Sequence, residues 1–219
     1  MLEKFYYWLH RITSKTEERG EISSGYWMNI SRTKVLNLCE FLDGKLLEVG
    51  CGEGLFLNKL AQKNKKLAIF GIDICREIIL KARDRFQVNK TKNINLTQAD
   101  SCNIPFRDNF FETVVCVNTL YNLPTDKIFY ISLKEIIRVC KRGGRIIFDI
   151  RNKQNPFLYF KYRFAGVYDK TVKHPLRTHS LNKVILFLKK HNAEIIKIIN
   201  IGFPRNIFSP IFIIEAERR

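Results

Sequence analysis

The stretch Leu46–Gly54, with the sequence LLEVGCGEG, joins a short apolar run to a segment of helical periodicity. The apolar run is typical of a buried β-strand, and the apolar side chains of Leu55–Lys63 recur at helical spacing. Glycines at positions 50, 52 and 54 permit a sharp backbone turn and the close approach of a ligand, because they carry no Cβ. A strand, a glycine loop and a helix N-terminus in this order predict a nucleotide-like binding site in a doubly wound sheet.

Segments typical of strands and of helices alternate after this stretch. The pattern predicts strands at 67–72, 94–97, 113–117 and 145–150, a helix at 76–86, and another helix that starts at Thr125 or Asp126 and stops at Gly143–Gly144. A helix at 180–190 precedes strands at 194–201 and 211–216, which are too close for a crossover and should be antiparallel. The expected fold class is α/β, with a doubly wound, seven-stranded, mostly parallel sheet that ends in an antiparallel hairpin.

Composition and charge narrow the class of protein. The 38 Lys and Arg residues against 21 Asp and Glu give a net charge of +17, which attracts phosphates, anionic lipid head groups or acidic small molecules. The basic residues are spread along the chain and form no block of like charge. No apolar run reaches the roughly 18 residues of a membrane span, and the N-terminus lacks a signal-peptide pattern, so a cytoplasmic protein is expected. The six cysteines form no CxxC pair, and no metal site is expected.

The spacing of the glycines separates this loop from other nucleotide-binding loops. A dinucleotide fingerprint requires glycine at position 55, where this chain has Leu, and no GK[ST] follows for a phosphate-binding P-loop. The motif, with Glu48 ahead of the glycines, resembles that of class I S-adenosylmethionine-dependent methyltransferases, in particular the small-molecule, methyltransferase-11-like branch. The resemblance covers about residues 45 to 150. It implies a Rossmann-like methyltransferase fold and S-adenosylmethionine as cofactor, with S-adenosylhomocysteine as product. It also implies that the loop lines the cofactor pocket through Glu48, Gly50, Cys51, Gly52 and Gly54.

Three further anchors follow the predicted strands in order. Asp73, with Ile74 beside it, ends the second strand, and the resemblance implies that its carboxylate holds the ribose hydroxyls; the alternative is a plain cap of the next helix. Asp100 and Ser101 match the family's stretch that contacts the adenine amino group. Asn118 ends the fourth strand, where the family places residues against the methionine portion of the cofactor and the acceptor.

The acceptor side carries weaker signals. Methyl transfer is a direct displacement with a neutral leaving group, so alignment and a dry site matter more than an acid, and a base is needed only if the acceptor loses a proton. The resemblance implies that a tyrosine ahead of the first strand covers the cofactor, and Tyr26 is the candidate; the alternative is a helix that only packs on the core. The basic, aromatic N-terminus could also touch a membrane surface. The candidate catalytic residues are Tyr121, His174 and His179; the candidate acceptor-binding residues are Asn122, Arg151, Asn152, Tyr168 and Arg177. The same residues could instead form a solvated lid.

A single domain over residues 1–219 is therefore expected. It divides into a helical lid at 1–42, the cofactor-binding core at 43–150, an acceptor-side insertion at 151–179, and a C-terminal helix and hairpin at 180–219. The expected activity is methyl transfer to a small O, N or C acceptor that is anionic or lipid-linked. An RNA methyltransferase is the alternative that the charge suggests, although no Asn/Asp-Pro-Pro-aromatic motif follows the fourth strand. A non-catalytic binding protein is the second alternative, for which a degraded glycine loop would be expected. The sequence leaves the oligomeric state open.

Overall fold

The computed structural model describes residues 26–89, 91, 93–163 and 176–219, except for the side chains of 159–161 and 163. The helices are α1 (Tyr26–Cys39), α2 (Leu55–Lys63), α3 (Arg76–Val88), α4 (Asp126–Val139), α5 (Pro156–Arg163) and α6 (Leu181–Lys190), with a short 3₁₀-helix at Leu120–Asn122. The strands are β1 (Lys45–Val49), β2 (Ala68–Asp73), β3 (Ile94–Gln98), β4 (Phe111–Cys116), β5 (Cys140–Arg151), β6 (Ala193–Ile201) and β7 (Ile211–Arg218). None of the described helices is long and apolar enough to cross a membrane.

The seven strands form one sheet in the order β3-β2-β1-β4-β5-β7-β6. Strands β1 to β5 run parallel, whereas β7 is antiparallel to both of its neighbours, β5 and β6. The predicted fold class is confirmed, including the antiparallel hairpin. Because β1 to β5 share one direction, their carboxyl ends lie at one edge of the sheet, and the order reverses beside β1, where such folds bind ligands.

Two apolar layers cover the two faces of the sheet. Side chains of a strand alternate between the faces, so the buried Leu47 and Val49 of β1 join the layer under α4 and α6, whereas Leu46 joins the layer under α1, α2 and α3. Both faces are buried, which explains why the central strands read as continuous apolar runs rather than alternating ones. The carboxyl edge is thereby fixed on a fully packed core.

The pair Gly143–Gly144 does not end helix α4, and this prediction was wrong. The helix ends at Val139, and both glycines lie inside β5. The β4–β5 register shifts there, since Phe111 pairs with Cys140 but Thr113 pairs with Arg145. A Cβ on Gly144 would lie 2.8 Å from the carbonyl oxygen of Glu112, so the glycine lets two backbones approach closely. Glycine inside a strand commonly marks such an irregularity.

Candidate functional site

The glycine loop between β1 and α2 is held in a left-handed backbone conformation. Gly50, Gly52 and Gly54 have φ values of +74°, +51° and +73°, a region that favours glycine. The backbone N–H groups of Gly50 and Cys51 both donate to the Ile72 carbonyl, at 2.8 and 2.9 Å, which ties the loop to β2. A Cβ on Gly50 would lie 2.3 Å from a methyl carbon of Thr119, whereas a Cβ on Gly52 would meet nothing within 4 Å. The loop is therefore packed on one side and open at Gly52.

Asp73 lies against the open side of this loop. One carboxylate oxygen accepts a hydrogen bond from the Gly52 backbone N–H and the other from the Cys75 backbone N–H, both at 3.0 Å. The second bond joins Asp73 to Cys75, the residue just ahead of α3, and so forms a local turn rather than a cap on the free N–H groups of the first helical turn. A carboxylate oxygen accepts more than one hydrogen bond, so ligand hydroxyls can bind as well. Ile74 is 66% exposed beside it and offers an apolar surface.

A small cavity of about 50 Å³ lies under the glycine loop. Glu48 and Arg32 line it together with Cys51 and Asn118, and both charged side chains are buried, at 4% and 5% exposure. Burial raises the pKa of Glu48 well above its usual range, and the nearby Arg32 lowers it in part. Sequence reasoning missed Arg32, because it lies on α1, ahead of every motif that defines the loop.

The segment after β4 joins the glycine loop to helix α1. Asn118 has a positive φ of +59°, which Asn tolerates better than most residues. Its backbone N–H donates to Asp149 at 2.7 Å, and its side-chain amide donates to the Met28 carbonyl at 3.1 Å. The Thr119 hydroxyl donates to the Gly50 carbonyl at 3.1 Å. Asn118, predicted as a cofactor-side residue, therefore lies at the junction of the three segments.

The two residues predicted for adenine recognition point in different directions. Asp100 is exposed, and its carboxylate accepts a hydrogen bond from the Cys102 backbone N–H at 2.8 Å. The Ser101 hydroxyl instead shares a 2.8 Å hydrogen bond with Ser132, a buried residue of α4. Asp100 retains acceptor capacity for a ligand, whereas the Ser101 hydroxyl is directed into the protein.

Arg151 is buried beneath the acceptor side and does not face an acceptor. It is 2% exposed, forms an ion pair with the fully buried Asp149, and donates to the Tyr162 hydroxyl at 3.1 Å and to Asn118 Oδ1 at 2.9 Å. Its guanidinium lies 4.1 Å from the centre of the Tyr121 ring. The expectation that Arg151 clasps an anionic acceptor is therefore wrong, because Asp149 already balances its charge inside the protein.

The side chains predicted for catalysis, and Tyr26, which was predicted to cover the cofactor, divide into a buried group and an exposed group. Tyr121 is 5% exposed, and burial raises the pKa of its hydroxyl. The hydroxyl therefore stays protonated at neutral pH and cannot act as a base there. His179 is 4% exposed and stacks on Phe129 with ring centres 3.8 Å apart, and burial lowers its pKa to about 4. Tyr26 is 54% exposed at the start of α1. The predicted residues His174 and Tyr168 lie outside the described part of the chain.

The remaining residues predicted to bind the acceptor also differ in their burial. Asn152 is fully buried and donates to the carbonyls of Ile207 and Ser209, at 2.7 and 2.9 Å, so it anchors the β6–β7 loop rather than an acceptor. This corrects the prediction for Asn152. Arg177 is partly buried and donates to the Pro124 carbonyl. Asn122 is exposed, and its amide donates to the Asn118 carbonyl at 3.3 Å.

Comparison with known proteins agrees with this geometry. Residues 47–148 match the family model described as a methyltransferase domain. Together with the fold, this match identifies a class I S-adenosylmethionine-dependent methyltransferase domain in this chain, in agreement with the resemblance noted in the sequence. The structure of magnesium protoporphyrin IX methyltransferase from Synechocystis PCC 6803, which contains bound SAH, has the same fold: the TM-score is 0.69 at 18% identity, over 99% of this chain and 94% of that one.

Curated relatives act on different kinds of molecule. The chain is 25% identical over 175 residues to demethylmenaquinone methyltransferase from Bacillus cereus, a match that covers 74% of this chain and 73% of that protein. It is 26% identical over 102 residues to the probable tRNA methyltransferase 9B of Bos taurus, which covers 47% of this chain but only 20% of that protein. The names of these relatives agree on methyl transfer and differ in the molecule that is methylated, so they show the reaction but not the acceptor of this chain.

Proposed function

We propose that this methyltransferase uses the carboxyl edge of its sheet to transfer a methyl group to a small acceptor, lipid-linked rather than anionic. The observation that carries the cofactor side is the glycine loop, with left-handed φ at positions 50, 52 and 54, hydrogen-bonded through Gly52 to the Asp73 carboxylate. S-adenosylmethionine supplies a sulfonium methyl group whose leaving thioether is neutral. The chain's own residues therefore have to bind, orient and exclude water.

Each cofactor portion has a matching group in this chain. Gly52 leaves open space for the ligand beside the loop, and Asp73 accepts hydrogen bonds from ribose hydroxyls. Ile74 and Asp100 provide an apolar surface and a hydrogen-bond acceptor for the adenine. Asn118, held by Asp149 and Met28, borders the place where the acceptor approaches.

The preference for a lipid-linked acceptor comes from the charges on the acceptor side. Arg151, the best candidate for an anion clamp, is neutralised by Asp149, and Arg177 is bonded to a backbone carbonyl. The B. cereus relative is named for a quinone substrate and matches this chain over most of its length. Both observations favour an apolar acceptor over a carboxylate or phosphate.

Calorimetric titration of nucleic-acid-free protein with S-adenosylmethionine and S-adenosylhomocysteine tests the cofactor side. We expect the Asp73→Ala variant to bind at least about tenfold more weakly, because charge-assisted hydrogen bonds are lost. Asp84→Ala, an exposed carboxylate on α3, is the matched control and should bind like wild type. Well-folded protein that binds neither ligand would instead favour the non-catalytic binding protein, and unchanged affinity in Asp73→Ala would remove Asp73 from the site.

RNA methylation is the second candidate, and the net charge of +17 favours it. Radiolabelled methyl transfer to total tRNA, compared with transfer to a total lipid extract, separates the two. Label in the lipid fraction supports the proposal; label in the tRNA fraction, sensitive to ribonuclease, would replace it.

A further inference from the structure

Exposed apolar side chains lie at the carboxyl edge of the sheet, on the side of the candidate site formed by α1, β5 and the β6–β7 loop. They lie on three segments: the start of α1, the start of α5, and the loop between β6 and β7. Phe203 is 86% exposed, Phe157 80% and Ile207 63%. We name this set the apolar rim; its members are Tyr26, Trp27, Phe157, Phe203, Ile207 and Phe208. Large exposed apolar groups that cluster in this way mark an interaction surface.

Contacts between the three segments make the rim one continuous surface. Asn155, ahead of α5, donates to the Phe208 carbonyl at 2.7 Å, and Asn152 donates to the Ile207 carbonyl at 2.7 Å. A Cβ on Gly202 would lie 3.0 Å from the Trp27 ring, so α1 and the β6–β7 loop are in contact. The rim is therefore supported by buried hydrogen-bonding side chains.

The charge of these segments has one sign. Residues 26–39, 152–163 and 202–210 contain no Asp or Glu, and Lys34, Lys153 and Arg205 are exposed basic residues within them. Lys153 and Arg205, which adjoin the rim on two of its segments, are exposed. A basic surface with Phe, Trp and Ile side chains matches an anionic bilayer, whose head groups attract the charge while the acyl boundary buries the apolar groups.

We propose that the apolar rim docks on an anionic lipid bilayer, with the candidate site facing the membrane. Two copies of the chain that met through the rim would bring like charges together, which disfavours self-association. Aliphatic Ile207 and the phenyl rings at the loop tip suit acyl chains better than nucleic-acid bases, which are read by stacking together with hydrogen bonds. The inference goes beyond the proposed function and needs no knowledge of the acceptor.

Flotation of the full-length, nuclease-treated protein with lipid vesicles tests it. Wild type should float with vesicles of phosphatidylcholine and phosphatidylglycerol and much less with phosphatidylcholine alone. The Phe157→Ala/Phe203→Ala double variant should lose about tenfold or more in partitioning, because it lacks two exposed phenyl groups that the bilayer would bury. Phe41→Ala is the matched control, since Phe41 is 90% exposed but precedes β1 at the opposite edge of the sheet. Its flotation should equal that of wild type.

A second measurement reports the orientation of the rim. In a Trp8→Phe background, Trp27 is the one remaining tryptophan of the two in the chain. Its fluorescence should be quenched by vesicles with brominated acyl chains, and high salt should weaken the effect through charge screening. Absent quenching, absent flotation of wild type, or equal losses in the double variant and in Phe41→Ala would each overturn the proposal. If the wild-type protein does not float and sediments as a dimer, the rim would be assigned to contact with a second copy of the chain.

The affinity for S-adenosylhomocysteine keeps this proposal separate from the proposed function. The Phe157→Ala/Phe203→Ala variant should bind it as wild type does, because the substituted side chains lie outside the glycine loop. Vesicle binding without cofactor binding would contradict the proposed function alone, and the reverse result would contradict the docking surface alone.

Discussion

The two halves of the carboxyl edge are built in different ways. At the ends of β1 to β3, the shape of the cofactor half is set by the backbone. Its glycines have left-handed φ, the Ile72 carbonyl accepts two backbone hydrogen bonds, and the Asp73 carboxylate accepts hydrogen bonds from backbone N–H groups. At the ends of β4 and β5, the acceptor half is shaped by buried side chains, with Asp149 and Arg151 at its centre. A site built from backbone is visible in a local motif, whereas the acceptor half also depends on side-chain partners far apart in sequence, such as Arg151 and Asn118.

The strongest test of this difference is Arg151→Met. The substitution leaves Asp149, which is fully buried, without its ion-pair partner, and we expect the free energy of unfolding to fall by about 3–5 kcal/mol. Urea denaturation followed by circular dichroism measures it. Arg219→Met removes an exposed arginine that also pairs with carboxylates, and its unfolding curve should coincide with that of wild type. Equal stability of wild type and Arg151→Met would show that the buried pair does not hold the acceptor half together.

The next effect concerns His179 and pH. Burial lowers the folded-state pKa from 6.5 to about 4, so the unfolded chain binds the proton more readily between these values. The stabilising contribution is therefore complete above pH 6.5 and is lost as the pH falls toward 4, by up to about 3 kcal/mol. Unfolding free energies measured across this range should decline more steeply for wild type than for His179→Phe. Parallel curves would mean that the imidazole is not buried as a neutral group.

A pair of glycine substitutions tests the cofactor half directly. Gly50 and Gly143 have nearly the same φ, +74° and +73°, but an added Cβ would clash with Thr119 only at Gly50, while nothing lies within 4 Å at Gly143. Gly143→Ala should cost about 1–2 kcal/mol of stability from the backbone alone and leave the affinity for S-adenosylhomocysteine unchanged. Gly50→Ala should cost more and also weaken that affinity, as calorimetry would show. Equal affinities in the two variants would contradict a ligand site at this loop.

The smallest effects are expected at Asp100 and Ser101. Ser101→Ala removes a hydrogen bond to Ser132 and should lower the free energy of unfolding by about 1 kcal/mol without changing cofactor affinity. Asp100→Ala should show the opposite pattern, with weaker cofactor binding and little change in stability, because Asp100 is exposed. A loss of affinity in Ser101→Ala alone would reverse the roles given to these neighbours.

Much of the fold could be predicted from local patterns. Helix α2 has the predicted bounds, Leu55–Lys63, because its apolar spacing and the glycines ahead of it both mark the start. The pair Gly143–Gly144 was misread, since a glycine pair after a helical pattern is typical of a helix end, and only the pairing of β5 with β4 shows that the strand already began at Cys140.

The acceptor half was less predictable for a physical reason. Asp149 and Arg151 are two residues apart in an apolar strand, so they share a face, and this spacing could have indicated a buried ion pair. The contact between Asn118 and Met28 spans 90 residues and has no local signal. The burial of His179 likewise depends on its contact with Phe129, which lies on α4, much earlier in the chain.

The position of β7 has a consequence for synthesis on the ribosome. Although β7 follows β6 along the chain, it lies between β5 and β6 in the sheet and hydrogen-bonds to both. A nascent chain that has emerged only as far as residue 210 therefore holds two strands without their shared partner. Unpaired strand edges promote association with other chains, so between the emergence of β6 and that of β7 the edges of β5 and β6 that later pair with β7 are open to such association.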